Sequence, residues 1–281
     1  MSYEAIQYDK RGNIALITLN RPDNLNAING ALREEMHAAT GEARNDDDVR
    51  VIIVTGAGRG FCSGADLSGA AVRAQQGAAG AERPADQTQI FPSATQNAKL
   101  DEMHWVGHWA KMLYESDKPT IAAVNGVCAG AGMSLALSAD MRVGCESSRF
   151  KAVFAERNLS PDSGMSFFLP RIVGYSRAID IICSSRNVEA EEAYRIGLLD
   201  RLVKQANLVE EASKVAEGMA QLPPVAIRAS KRVVQHNLNV HLHEALIYEA
   251  YNLDVARKAT NDAKESRLAF MEKRKGVFTG T

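Results

Sequence analysis

The hydrophobic pattern of the chain predicts strands and helices that alternate through its first two thirds. Apolar runs that end at turn residues predict strands at residues 14–19, 51–54, 121–124, 141–143 and 199–203. Helical spacing of apolar positions predicts a helix over residues 30–44, with Leu32, Met36 and Ala39 on one face, and a short buried helix over residues 132–138. No hairpin signature joins consecutive strands, so we expect crossover connections and an α/β fold.

After residue 203 the pattern changes to helical periodicity alone. Helices are predicted at residues 208–222, 225–236, 242–257 and 259–275. This part is too poor in apolar residues for an independent core, so we divide the chain into an α/β core, residues 1–203, and a C-terminal helical region, residues 204–281. Within the core, residues 68–98 are rich in Ala, Gly and Gln and show little periodicity. They are interpreted either as a mobile active-site loop or as plain disorder.

Composition and charge exclude several classes of protein. The 281 residues hold 33 Lys and Arg against 34 Asp and Glu, a net charge of −1, which excludes the basic surface of a dedicated nucleic-acid binder. Residues 119–139 carry no charge, but Asn125 and several glycines favour a strand, a turn and a buried helix over a membrane span. The charged N-terminus is unlike a signal peptide, and the four cysteines are widely spaced. We therefore predict a cytoplasmic protein with reduced thiols.

Three glycine-containing junctions are candidates for chemistry: GAGRGFCSG (56–64), NGVCAGAG (125–132) and SPDSG (160–164). The first lacks both the spacing of a dinucleotide fingerprint and the ending of a phosphate loop. Glycine-rich turns after strands expose backbone N–H groups, and two turns at neighbouring strand ends could direct two donors at one oxygen. On spacing alone, ordinary tight turns are the better explanation.

The literal residues change that interpretation. The segments GRGFCSGADL (58–67), DKPTIAAVNGVCAGAGMSLALSAD (117–140) and SPDSGMSFFLPRIVG (160–174) resemble the signature segments of the enoyl-CoA hydratase/isomerase (crotonase) superfamily. So, in the same order, do RPDNLNAING (21–30), AEEAYRIGLLDRLV (190–203) and ESRLAFMEKRKGVF (265–278). The resemblance covers essentially the whole chain. It implies a spiral of ββα units, a helical trimerisation region, a homotrimer or homohexamer, and a coenzyme A thioester as substrate with no tightly bound cofactor.

Carried over residue by residue, the resemblance implies a site. The backbone N–H groups of Ser63 and Ala131 would form an oxyanion hole for the thioester carbonyl. The residues that match coenzyme A contacts in the family are Asn24, Ala27, Ala65, Asp66, Leu67, Phe270 and Lys273. The last two lie in the terminal helix and would reach the nucleotide, commonly across a subunit boundary. For Lys273 a solvated helix end is the alternative.

The departures from the family pattern are informative. Ser134 and Phe154 stand where classical hydratases carry the two glutamates that activate water, and neither side chain is basic near neutral pH. Asp162 stands where hydratases commonly carry glycine. Branches with a carboxylate there include double-bond isomerases, the phenylacetate-pathway ring-epoxide isomerase, which the P-D-S-G and A-G-A-G wording resembles most, and an aryl-CoA dehalogenase.

We therefore expect isomerisation through an enolate, with Asp162 as the base among Phe154, Met165 and Phe167. The alternatives are dehalogenation with Asp162 as nucleophile, an inactive acyl-CoA-binding or scaffold protein, and a purely structural Asp162 that caps a helix. His104 and His108 have the spacing of a metal pair, but no third ligand is evident nearby. We expect a helix face there and no metal. Cys62, beside the expected oxyanion hole, is interpreted as a packed thiol.

Overall fold

A computed structural model describes residues 3–68 and 100–281 of the chain. The strands of this part are β1 Ile6–Arg11, β2 Ile14–Leu19, β3 Val51–Gly56, β4 Gly60–Cys62, β5 Thr120–Val124, β6 Val127–Ala129, β7 Met141–Cys145, β8 Arg149–Lys151, β9 Asn187–Glu189 and β10 Arg201–Val203. Its helices are α1 Gly30–Asn45, α2 His104–Tyr114, α3 Ala131–Ser138, α4 Met165–Val173, α5 Tyr175–Ser184, α6 Ala190–Arg195, α7 Leu208–Ala220, α8 Pro224–Asn237, α9 Leu242–Arg257 and α10 Thr260–Glu272.

The strands form two sheets, and a ββα repeat distributes successive strands between them. One sheet has the order β1-β2-β3-β5-β7-β10 and the other has the order β4-β6-β8-β9. The pairs β3–β4, β5–β6 and β7–β8 each place one strand in the first sheet and the next in the second, before the chain continues to α2, α3 or α4. Within each sheet these strands pair parallel with one another, and β9 joins the edge of the smaller sheet antiparallel to β8. The expected α/β class with ββα units is confirmed.

Both faces of the larger sheet are buried, which explains the continuous apolar runs in its strands. Alternate residues such as Ile17, Ile52 and Val54 face a core shared with α1, α2 and α3. The residues between them, such as Leu16 and Ile53, face a second core under α7. Successive side chains of a strand point to opposite faces, so one run of five or six residues supplies both cores.

The expectation that no hairpin joins consecutive strands is wrong. Strands β1 and β2 pair antiparallel, with Arg11 opposite Ile14 and only Gly12 and Asn13 between them. Gly12 has φ +59°, a conformation that glycine adopts without a steric penalty. The sequence IQYDKR of β1 is mostly polar and only Ile6 is buried, so the strand carries no apolar pattern.

The four predicted C-terminal helices are confirmed as α7 to α10. Helix α7 lies against the larger sheet, where Leu208, Ala212, Ala216 and Ala220 are buried in the second core. The division between residues 203 and 204 stays a prediction. Except for Ser68 at its start, the segment interpreted as a loop or disorder lies outside the described residues. Within the described ranges, no helix combines the length and the apolar character that crossing a membrane requires.

Candidate active site

Two glycine-rich turns meet at one edge of the smaller sheet. Parallel pairing of β4 with β6 places Cys62 opposite Cys128, so the turns that follow both strands leave the sheet side by side. Gly64 in the first turn has φ +95°, and a Cβ there would lie 2.9 Å from Ala129 O and 3.6 Å from Ala131 N. The turns therefore approach each other to a distance that only glycine allows.

The second turn opens helix α3, and no acceptor in the described part of the chain receives the N–H of Ala131. The first hydrogen bond within α3 runs from Ser134 N to Gly130 O at 3.0 Å. Ala131 is the first residue of the helix, so its N–H has no acceptor in a preceding helical turn. Trp109 in α2 fixes this residue from behind, because its Nε1–H donates to Ala131 O at 3.0 Å. Ala131 thus presents an N–H donor at the positive end of a helix.

The structure corrects the prediction for Ser63. Its backbone N–H donates to Leu25 O at 3.0 Å and is not available to a substrate oxygen. Ala65, two residues on, lies in an isolated parallel bridge with Ile28, in which Ile28 N bonds to Gly64 O and Asp66 N bonds to Ile28 O. Within the described residues, no acceptor receives the N–H of Ala65. The N–H of Gly64 contacts the Cys62 thiol, so the free donor of this turn is Ala65, which the sequence suggests only as a coenzyme A contact.

Segment 21–28 supports the first turn. Asn26, fully buried, donates through Nδ2 to Gly60 O at 2.8 Å and accepts from Arg21 N at 2.8 Å. The Arg21 guanidinium pairs with Asp66 at 2.9 Å. Hydrogen bonds from Ser68 and the Arg21 ion pair hold the pKa of Asp66 below its ordinary value. Asp66 is therefore an anchor of the turn, and its carboxylate is already engaged.

Asp162 faces the same cavity from the segment that precedes α4. This cavity is lined by Ser63, Gly64, Ala65, Leu67, Trp105, Gly130, Ala131, Val153, Phe154, Arg157, Leu159 and Asp162. Burial raises the pKa of the Asp162 carboxyl above its ordinary value, and a hydrogen bond from Ser163 lowers it by less. The N-cap position of α4 is Gly164, not Asp162, and this glycine has no side chain that could cap the helix. The capping role considered for Asp162 is therefore wrong.

Ser134 and Phe154, the two positions at which the family resemblance implies glutamates, bring no carboxylate to the cavity. Ser134 is fully buried, and its hydroxyl donates to Asp162 O at 3.3 Å. Phe154 is a buried wall of the cavity. Glu156, nearby in sequence, pairs with Lys151 at 2.6 Å and does not line the cavity. Among the described lining residues, Asp162 supplies the one carboxylate.

The walls of the cavity are mostly apolar, and the sequence analysis did not identify several of the residues that form them. Trp105, Val153, Arg157 and Leu159 line the cavity with the predicted Phe154. The i, i+4 spacing of Trp105 and Trp109 is an ordinary core signal, so it did not identify Trp105 as a cavity residue. Met165 and Phe167, expected around Asp162, do not line it: Met165 is fully buried in the core, and Phe167 stacks under the Arg171 guanidinium.

The remaining predicted residues lie outside the cavity lining. Asn24 closes a one-turn helix and Ala27 is buried in segment 21–28. Phe270 is 86% exposed, and Lys273 ends α10 on the surface. Neither reaches the cavity of its own chain.

The cysteine and histidine candidates have ordinary partners. Cys62 is fully buried, its Sγ donates to Asn26 O, and burial raises the pKa of its thiol to about 12. His108 contacts Asp101 at 3.1 Å. Among the described side chains, no three of His, Cys, Asp and Glu are grouped closely enough to hold a metal ion.

Comparisons with known proteins agree with the fold and the motifs. The sequence model of the enoyl-CoA hydratase/isomerase family matches residues 9–281. A probable enoyl-CoA hydratase of Rhodobacter capsulatus is 35% identical over 280 residues, which is 100% of both chains. A 1,2-epoxyphenylacetyl-CoA isomerase of Escherichia coli is 31% identical over 95% of both chains. The crystal structure of an enoyl-CoA hydratase from Bacillus anthracis covers 99% of this chain and 100% of its own, with a TM-score of 0.85 and 29% identity.

This chain belongs to the enoyl-CoA hydratase/isomerase family, and its fold is the crotonase fold. It is therefore an enzyme of that family that acts on acyl-CoA thioesters.

Proposed function

We propose that this enzyme is an acyl-CoA isomerase with Asp162 as its single catalytic base. The observation that carries the proposal is the single carboxylate of the cavity, because Asp162 is the one acidic residue among the described lining residues. Ser134 and Phe154 stand where water activation would need acids. Most relatives bear hydratase names, as does the Rhodobacter capsulatus protein, whereas the Escherichia coli protein bears an isomerase name.

The free backbone donors supply the other half of the proposed chemistry. The N–H groups of Ala65 and Ala131 would receive the thioester oxygen and stabilise the negative charge that forms when a proton leaves the neighbouring carbon. Asp162 would take that proton and return it to another carbon, which completes a 1,3-shift of the double bond. No net water is added. Because a base must be ionised, kcat/KM should rise with pH through the pKa of Asp162, which burial places above its ordinary value.

An assay in heavy water tests the proposal. The wild-type enzyme and its Asp162→Asn variant are offered 2-enoyl-, 3-enoyl- and phenylacetyl-CoA thioesters, and the products are weighed by mass spectrometry. We expect the wild type to incorporate deuterium without adding water. The variant, which keeps the shape of the side chain, should lose roughly 10²- to 10⁴-fold in rate.

Matched variants sharpen the result. Glu156→Gln removes a carboxylate six positions away that lies outside the cavity and should retain the wild-type rate. The double variant Glu82→Gln/Asp86→Asn removes the two acids of the part outside the described residues, and it too should stay active. Addition of a whole water would indicate hydratase chemistry, and an acyl-enzyme mass on Asp162 would indicate dehalogenase-type nucleophilic catalysis. Binding of thioesters without either change would indicate a non-catalytic protein.

The proposal extends to assembly and to the nucleotide end of the substrate. Helix α9 exposes large apolar side chains, and α10 exposes Phe270 and Met271. We propose that these helices meet in a homotrimer, alone or paired as a hexamer. Phe270 and Lys273, remote from the cavity of their own chain, would then contact coenzyme A bound to a neighbour. Coenzyme A would arrive only as part of the substrate.

A further inference from the structure

Ser163 contacts the carboxylate of the residue that precedes it. Its Oγ donates a hydrogen bond to Asp162 Oδ1 at 2.9 Å. Ser163 is 3% exposed, so water does not compete for the hydroxyl as it would on the surface. Within the described part of the chain, no donor contacts the second oxygen, Oδ2. The hydrogen bond therefore makes the two oxygens of the carboxylate unequal.

The backbone at Ser163 is held in an uncommon conformation. Ser163 has φ +51° and Gly164 has φ +81°, both in the left-handed region. A residue with a Cβ adopts this region rarely, and it does so where the surroundings determine the backbone closely.

The main chain of Asp162 is fixed on two sides. Its carbonyl oxygen accepts from Met165 N at 3.0 Å and from Ser134 Oγ at 3.3 Å. The backbone of residues 162–164 is thus held in place independently of the Asp162 side chain.

We propose that Ser163 is a positioning residue: its hydroxyl holds Oδ1 of Asp162 so that Oδ2 faces the reacting carbon of the substrate. This inference rests on the proposed function, because Ser163 acts only through Asp162. A carboxylate with two free oxygens would rotate about its terminal bond, whereas one anchored oxygen leaves a single orientation. Proton transfer depends steeply on such alignment.

The charge on Asp162 responds to the same hydrogen bond. Burial raises the pKa of this carboxyl, while the bond from Ser163 opposes that rise. Of the other elements that border the cavity, α2 contributes Trp105 and the short helix Ala155–Arg157 contributes Arg157, the other charged residue of the described lining. Ser134 of α3, which is neutral, contacts only the carbonyl of Asp162. Removal of the Ser163 hydroxyl would leave the effect of burial unopposed, and the pKa of Asp162 would rise further.

The test measures this carboxyl directly. Protein labelled with ¹³C at the aspartate carboxyls is titrated by NMR, and the Asp162 resonance is assigned from its absence in Asp162→Asn. In Ser163→Ala and Ser163→Gly we expect the titration midpoint to rise by about one pH unit. The acid limb of kcat/KM should move with it, and kcat should fall roughly ten- to a hundredfold with little change in KM. Glycine accepts φ +51° without strain, so Ser163→Gly separates the loss of the hydroxyl from any folding defect.

Ser134→Ala is the matched control. It makes the same chemical change at a buried serine that bonds the backbone of Asp162, so its titration midpoint should equal that of the wild type. An unmoved midpoint in both Ser163 variants would overturn the inference, even where Asp162→Asn is inactive and the proposed function stands. A fully active Asp162→Asn would instead overturn the proposed function and the positioning role together, whatever the midpoints show.

Discussion

At the scale of single residues, Gly64 controls the distance between the two turns that carry the free donors. Its φ of +95° disfavours any side chain, and a Cβ would lie 2.9 Å from Ala129 O. That oxygen belongs to the backbone, so it cannot move aside cheaply. The substitution Gly64→Ala should separate the turns and move the N–H groups of Ala65 and Ala131 apart. We expect kcat to fall at least ~10²-fold, the loss typical of one oxyanion donor.

A second glycine provides the control for Gly64→Ala. Gly12 also has a positive φ, but nothing lies within 4 Å of its added Cβ. Gly12→Ala should therefore cost only the backbone strain, about 1 kcal/mol of unfolding free energy, with normal turnover. Thermal unfolding and steady-state kinetics on both variants separate strain from loss of the site. If Gly64→Ala kept the wild-type kcat, the proposed role of the two N–H groups in catalysis would be contradicted.

Single residues also show which features of the site the sequence motifs could predict. Asp162 was identified because a carboxylate replaces glycine in a recognisable segment, and the structure places it in the cavity. The donor residue in the first turn was misplaced by two positions. Every residue of S-G-A-D has an N–H, and the bonds that Ser63 and Asp66 make to the carbonyl oxygens of Leu25 and Ile28 determine which N–H groups are already engaged. Such pairing between distant segments leaves no mark in the local sequence.

At the scale of elements, helix α2 supports helix α3 through one side chain. Trp109 is fully buried, and its indole N–H bonds to the carbonyl oxygen of Ala131. Trp109→Phe would remove the indole donor from this carbonyl oxygen, which would keep only its bond within helix α3, and would open a small cavity. We expect a loss of about 2 kcal/mol in unfolding free energy and a lower kcat, because Ala131 is held less firmly.

The neighbouring tryptophan gives a contrast to Trp109→Phe. Trp105 lies one turn earlier on α2 and forms part of the cavity wall. Trp105→Phe should change KM more than kcat, because the wall contacts bound substrate while Ala131 stays in place. Denaturant unfolding with kinetics on both variants tests the difference. Equal effects on kcat and KM in the two variants would contradict a specific supporting role for Trp109.

Elements with a strong apolar pattern were predictable, and the others were not. Strands β2, β3 and β5 are buried on both faces, and α7 buries a stripe of four small or apolar residues, so their sequences carry the signal. Strand β1 and the three-residue strands β4, β6, β8 and β9 are too polar or too short. Their pairing is determined by tertiary contacts, which override local propensity.

At the scale of the whole molecule, helix α9 carries more apolar surface than one chain covers. Its buried side, with Ala245 and Asn252, faces its own chain. Leu242, Leu246 and Leu253 lie exposed on a second side, and Ile247 and Tyr251 lie exposed on a third. A helix that is apolar on several sides is usually buried on several sides. This distribution supports the proposed homotrimer, in which neighbouring subunits would cover the exposed sides.

One charge on this surface tests the assembly. Leu246, 53% exposed in the single chain, would be desolvated between subunits, so Leu246→Glu should shift the enzyme from trimers or hexamers to monomers in light scattering. Gly218→Glu adds the same charge to an open position on α7 and should leave the oligomer intact. If Phe270 and Lys273 reach coenzyme A across the subunit boundary, the Leu246→Glu monomer should also bind thioesters more weakly than Gly218→Glu. If the wild-type protein is a monomer by light scattering, the proposed assembly is contradicted. Phe270 and Lys273 would then have no neighbouring subunit whose coenzyme A they could contact.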